Sequence, residues 1–221
     1  MKIQRLLFIA SVFIQLTVSN TVFGHQTKVD RPQAHQVKND EYKNLGALIQ
    51  PDNLFPVIEL QTSAGKIRVE LDRIKAPISS NNFIYYVTNG SYDGTIFHRV
   101  IDEFVVQGGG YDQYFKERKV ESLIYNESGN GLKNKMFTIA MAREEKPHSA
   151  GRQFYFNLSD NENLDPGKTW GYAVFGVVID GEDVLELISK TKTHIDTNFN
   201  WADVPVKPII LNRAILIKSE I

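Results

Sequence analysis

Two short apolar stretches each carry an amide that strand alternation would set beside an apolar neighbour. In Phe104-Val105-Val106-Gln107, Val105 and Gln107 share a face; in Gln153-Phe154-Tyr155-Phe156, Gln153 and Tyr155 do. Brought together, two such strands would form an apolar slot with a few placed hydrogen-bonding groups, the usual form of a ligand site. The same pattern also fits amides that merely end strands or bond to loops. A third stretch, Ile96-Phe97-His98-Arg99-Val100-Ile101, sets a guanidinium inside an apolar strand. An isolated buried charge is costly, so Arg99 requires a partner or an open face; a surface ion pair would satisfy that as well as a site would.

Other chemistries are poorly supplied. Cysteine is absent, which excludes disulfides, thiol nucleophiles and Cys-ligated metal centres. The five histidines, His25, His35, His98, His148 and His194, include no pair at the i, i+4 spacing of a helical metal site, and no metal or cofactor is expected. Gly108-Gly109-Gly110 lacks the Lys-Ser/Thr that follows in a phosphate loop and reads as a tight bend. Asp160-Asn161-Glu162-Asn163 lacks the spacing of a calcium loop, because Leu164 stands where a ligand is needed. With 25 Lys and Arg against 26 Asp and Glu, the net charge of −1 excludes nucleic-acid binding through bulk positive charge.

The elements that must position these residues follow from the hydrophobic pattern. Residues 1–24 join Lys2 and Arg5 to a mostly apolar run and end in small residues, the pattern of a secretory signal peptide. That predicts a periplasmic or secreted protein with no stable membrane insertion after cleavage; an uncleaved anchor and a buried helix are the alternatives. Residues 25–53 are polar and aperiodic and read as a flexible linker, with His25 and His35 as solvated residues or weak metal ligands. Residues 54–221 form the folded domain. Val57–Thr62 and Lys66–Leu71 read as a hairpin, the second strand alternating Ile67, Val69 and Leu71 against Lys66, Arg68 and Glu70. Pro77 opens a helix closed by Gly90, and Val184, Leu187 and Ile188 form the stripe of a second helix over 182–190. Further strands are expected at 95–101, 104–107, 137–142, 154–158, 172–178 and 209–217. About eight strands with two helices suit a mainly β fold, a closed eight-stranded antiparallel β-barrel capped by two α-helices, and a monomer is expected.

Tyr92-Asp93-Gly94-Thr95-Ile96-Phe97-His98-Arg99-Val100-Ile101, followed by Phe104 and Gln107-Gly108-Gly109, resembles the core signature of the cyclophilin-type peptidyl-prolyl cis–trans isomerases. The resemblance continues through Thr138-Ile139-Ala140-Met141-Ala142, Gln153-Phe154 and Tyr172-Ala173-Val174-Phe175-Gly176, and covers about residues 57–217. It implies the barrel just described and the rotation of X–Pro bonds in proline-containing peptides and unfolded exported proteins. It further implies that Arg99 is the catalytic arginine, that Phe104, Val105, Tyr155 and Leu164 line the proline pocket, and that Gln107 and Ala142 contact the substrate backbone. His98 and Gln153 match residues in or beside the groove. Arg143 and Tyr172 stand where eukaryotic members usually carry Asn and His, and resemble the bacterial exported subgroup. A barrel that holds proline peptides without turnover is the alternative.

Three departures from the family pattern stand out. Asn163 replaces the usual Trp or Phe. Tyr155 replaces a Phe, so its hydroxyl requires a partner. Asp102-Glu103 replaces Pro-Gly, which raises the expectation that two carboxylates beside the groove favour basic peptides.

The mechanism this implies breaks no bond. Amide resonance sets a barrier of about 18–20 kcal/mol, and twisting removes the resonance and leaves a lone pair on the prolyl nitrogen. A donor aimed at that nitrogen binds the twisted imide better than either planar isomer, and this difference is what lowers the barrier. Arginine suits the task because its charge is fixed.

Overall fold

The computed structural model of the protein describes residues 45–218. The expected leader at residues 1–24, His25, His35 and the linker up to residue 44 lie outside the described residues. Eight strands close into one antiparallel barrel: β1 (Val57–Thr62), β2 (Lys66–Leu71), β3 (Thr95–Ile101), β4 (Val105–Asp112), β5 (Thr138–Met141), β6 (Phe154–Asn157), β7 (Val174–Asp180) and, last in the chain, β10 (Ile209–Leu216). Around the barrel the order is β1-β10-β3-β4-β6-β5-β7-β2. Two further strands, β8 (Thr193–Asp196) and β9 (Trp201–Pro205), pair only with each other.

Period-two alternation builds the interior. On β2, Ile67, Val69 and Leu71 are fully buried while Lys66 and Arg68 are exposed, as the sequence predicts. Phe97, Val106, Ile139, Phe154, Phe156 and Phe175 point into the same core. Helix α1 (Pro77–Thr88) starts on a proline, whose missing N–H costs little in a first turn. No neighbouring side chain caps it. The carboxylate of Glu127 does so from across the fold, accepting from the N–H groups of Ile78 (3.0 Å) and Ser79 (2.7 Å). Phe83 of α1 meets Tyr92, Phe154 and Phe175 at ring distances of 5.0, 5.1 and 5.3 Å. Helix α2 (Glu182–Ser189) adds Leu185 and Ile188 to this core.

Three sequence expectations change. Gly108–Gly110 do not form a bend but lie inside β4. A Cβ on Gly108 would come within 2.7 Å of the Phe97 ring, and Gly109, at φ +83°, sits between Phe154 and Tyr92. The β3–β4 register shifts at this point, so the glycines serve a bulge and close packing. The β8–β9 hairpin carries no regular alternation, which is why the hydrophobic pattern does not reveal it. Finally, the end of the supposed linker is fixed to the barrel. Arg73, 7% exposed, donates through its guanidinium to the carbonyls of Gly46 (3.0 Å), Ile49 (2.7 Å), Asn53 (2.9 Å) and Gln50. An aperiodic segment gives no sign of this, because its anchor lies 20 residues downstream of Asn53.

Candidate active site

Alternation that sends Val106, Phe154, Phe156, Ile139 and Met141 inward sends their neighbours outward. Across the outer face, the strand register places Arg99 of β3 opposite Gln107 of β4, Gln107 opposite Tyr155 of β6, and Tyr155 opposite Ala140 of β5. Ala140 in turn faces Val174 of β7. Val105, Ala140, Tyr155 and Val174 form a second apolar cluster, separate from the core. Phe104, Leu132, Ala142, Leu164 and Tyr172 pack against it while keeping some exposure. A guanidinium and an amide thus stand at one end of an apolar surface held by four hydrogen-bonded strands.

The polar groups are arranged by their neighbours. Gln107 Nε2 donates to Gln153 Oε1 at 3.0 Å. Gln153 lies over Gly110, where a Cβ would come within 2.7 Å of its amide. A cavity of about 320 Å³ opens beside this amide pair, lined in part by Tyr111, Glu117, Ala142 and Glu144. The Tyr155 hydroxyl, which the sequence leaves in need of a partner, donates to Asn134 Oδ1 at 2.8 Å. Asn134 is itself held by Asp165, whose Oδ1 accepts from its backbone N–H (2.8 Å) and from its side-chain amide (3.0 Å). Burial raises the Tyr155 pKa well above its ordinary value, so the hydroxyl stays protonated. Asp165 stays below the ordinary carboxylate value: burial raises it, but the Asn134 hydrogen bonds and Lys133 outweigh that.

Two expected contact residues are turned to structural roles. Arg143 donates to the carbonyls of Trp170 (2.7 Å), Gly171 (3.1 Å) and Glu144 (2.8 Å), and its guanidinium lies 4.5 Å from the Tyr172 ring centre. It therefore ties two loops together and supports Tyr172, which meets Tyr155 edge-on at 5.9 Å. His98 is 7% exposed and packs against Tyr111 at 4.9 Å and Trp201 at 6.2 Å. Burial, aided by the neighbouring Arg99 charge, lowers its pKa to about 4, and its Nδ1 has no hydrogen-bond partner. It is a neutral ring under the β8–β9 hairpin.

The departures also find their places. Asn163 lies exposed in a 3₁₀ turn over Glu162–Leu164, from which Leu164 alone joins the apolar cluster. Asp102 is ion-paired at 2.8 Å with Lys190, which caps the C-terminal end of α2, and that hydrogen bond lowers its pKa. The idea that Asp102 and Glu103 together favour basic peptides loses one of its two free carboxylates. Asn134, Leu132 and Asp165 escape sequence reasoning because they lie in loops without periodicity. Among the described residues, no group of three or more His, Asp or Glu side chains could hold a metal ion.

Arg99 meets the requirement set by its sequence context through both an open face and a partner. Its side chain is 39% exposed, and Nε lies 3.9 Å from Asp203 Oδ2, a long pair that leaves the rest of the guanidinium free.

Comparison with known proteins identifies the family. The family model for cyclophilin type peptidyl-prolyl cis-trans isomerases matches residues 57–214. A peptidyl-prolyl cis-trans isomerase of Streptomyces antibioticus, cyp18, is 47% identical over 161 residues, covering 71% of this chain and 96% of its own length. Peptidyl-prolyl cis-trans isomerase A of Dickeya dadantii (strain 3937) is 46% identical, covering 72% of this chain and 84% of that protein. The crystal structure of a Cryptosporidium parvum cyclophilin type isomerase superposes with a TM-score of 0.62 at 25% identity, covering 75% of this chain and 99% of that one. With its closed barrel, its outer apolar face and these relatives, the chain belongs to the cyclophilin-type peptidyl-prolyl cis-trans isomerases.

Proposed function

We propose that this isomerase acts on proline-containing segments of unfolded exported proteins, in the periplasm or outside the cell, with Arg99 as its catalytic group. The proline ring sits on the apolar surface made by Phe104, Val105, Tyr155 and Leu164, with Ala142 and Tyr172 at its edge. Gln107 holds the peptide backbone, and the Gln153 amide holds Gln107. The guanidinium of Arg99 donates to the prolyl nitrogen as it becomes pyramidal, a contact that exists only in the twisted state. The observation that carries this reading is the cross-strand pairing of Arg99 with Gln107 at the end of the outer apolar cluster.

Two further points support the substrate class. A second crystal structure of the Cryptosporidium parvum cyclophilin was obtained in the presence of the dipeptide Ala-Pro. The leader-like pattern of residues 1–24 supports export. Exchange NMR on an X–Pro peptide tests the catalytic assignment. Arg99→Ala is expected to lose about 10²–10³ in kcat/KM, the usual worth of one preorganised donor, with its fold retained. Wild-type turnover in a folded Arg99→Ala would remove Arg99 from the mechanism. Fractionation of the producing cell and N-terminal sequencing of the mature chain test export, and an intact Met1 on a cytoplasmic protein would overturn it.

A further inference from the structure

The β8–β9 hairpin takes no part in the barrel, yet it reaches the candidate site. Strand β9 packs along β3. Aromatic rings hold it there: Trp201 lies 4.8 Å from Tyr111, and Phe199 lies 5.4 Å from Phe115 and 5.0 Å from Trp201. Just beyond Trp201, this mount brings Asp203 Oδ2 to 3.9 Å from Arg99 Nε. Asp203 adopts φ +64°, a backbone conformation that side chains rarely enter unless the surrounding structure holds them there. Among the described residues, Asp203 is the one acidic partner of Arg99, and the guanidinium makes no other polar contact.

We propose that Asp203 is a positioning residue for the isomerisation, a role that rests on Arg99 being the group that stabilises the twisted imide. A guanidinium on a flexible stem must freeze several rotatable bonds before it can engage a substrate atom, and that ordering opposes catalysis. A carboxylate at the Nε side biases the guanidinium towards one orientation before the peptide arrives. The Nη groups stay available, because the pair is longer than a hydrogen bond and touches Nε alone. The hairpin is therefore part of the active site although it supplies no wall of the proline slot. Its aromatic cluster fixes β9, and β9 fixes the carboxylate.

The test is a double-mutant cycle on the full chain, with kcat and KM measured by exchange NMR on a tetrapeptide with a central Ala-Pro bond. Asp203→Asn is the informative variant, since Asn removes the charge, keeps the shape and tolerates the left-handed backbone. It is expected to lower kcat about three- to fivefold, the rate equivalent of an exposed ion pair, with KM within about twofold of wild type. In an Arg99→Ala background the same change is expected to leave kcat/KM unaltered. A wild-type kcat in Asp203→Asn, or an equal loss with and without Arg99, would overturn this inference while leaving an impaired Arg99→Ala to support the catalytic assignment. Full activity in Arg99→Ala would overturn both.

Discussion

The hydroxyl of Tyr155 donates to Asn134 Oδ1 at 2.8 Å, beneath the apolar face of the site. Both residues are buried, Tyr155 at 4% and Asn134 at 1% exposure. The two halves of this bond are not equivalent. Asn134→Ala leaves a buried hydroxyl without a partner and is expected to cost about 1–3 kcal/mol. Tyr155→Phe removes the donor itself, while Asn134 Oδ1 still accepts from Asn157 Nδ2 at 3.3 Å. That change is expected to cost about 1 kcal/mol or less. Urea denaturation of the two variants checks the asymmetry, and turnover in Tyr155→Phe is expected to stay close to wild type.

His98 makes stability pH-dependent. Its pKa falls from 6.5 to about 4 on folding, mainly through burial. The unfolded chain therefore binds a proton that the native chain refuses between these values, and stability drops as pH falls from about 6.5 to about 4. The loss from this group is at most about 3 kcal/mol. His98→Phe, which has no proton to take up, is expected to show a flatter decline across the same window in thermal melts. Turnover is expected to be nearly constant from pH 6 to pH 8, because the mechanism transfers no proton.

Gly110 offers a way to disturb Gln107 indirectly. Its φ is an ordinary one, but a Cβ there would meet the Gln153 amide at 2.7 Å. Gly110→Ala is expected to push Gln153 off Gln107 and lower kcat/KM by about tenfold, while the flexible side chain keeps the stability cost to about 1 kcal/mol. Peptide titration and a denaturation curve separate the two effects.

Arg73 holds residues 46–53 through carbonyl acceptors alone. Arg73→Ala is expected to destabilise the domain by about 2–3 kcal/mol, since one buried and three part-buried carbonyls lose a charged donor. Limited proteolysis is expected to shift to the stretch before β1, with the isomerase activity of the remaining barrel retained.

The barrel strands and both helices are legible in the amino-acid order, as Lys66–Leu71 illustrates: alternation dictates which face is wet, and only a closed sheet buries all the others. Arg99, Gln107, Gln153 and Tyr155 are legible too, because period two tells which neighbours share a face. Their mutual placement is not. Whether Gln107 stands opposite Arg99 or one residue away depends on the bulge that Gly108 and Gly109 permit, and register is a property of two strands at once. The same reason hides Asn134, Glu127, Arg73 and Asp203. Each acts on a partner more than 20 residues away, or, for Arg73 and Asn53, 20 residues away. A linear pattern records what a residue prefers; the closure of the barrel and the docking of the last hairpin choose which of those preferences meet.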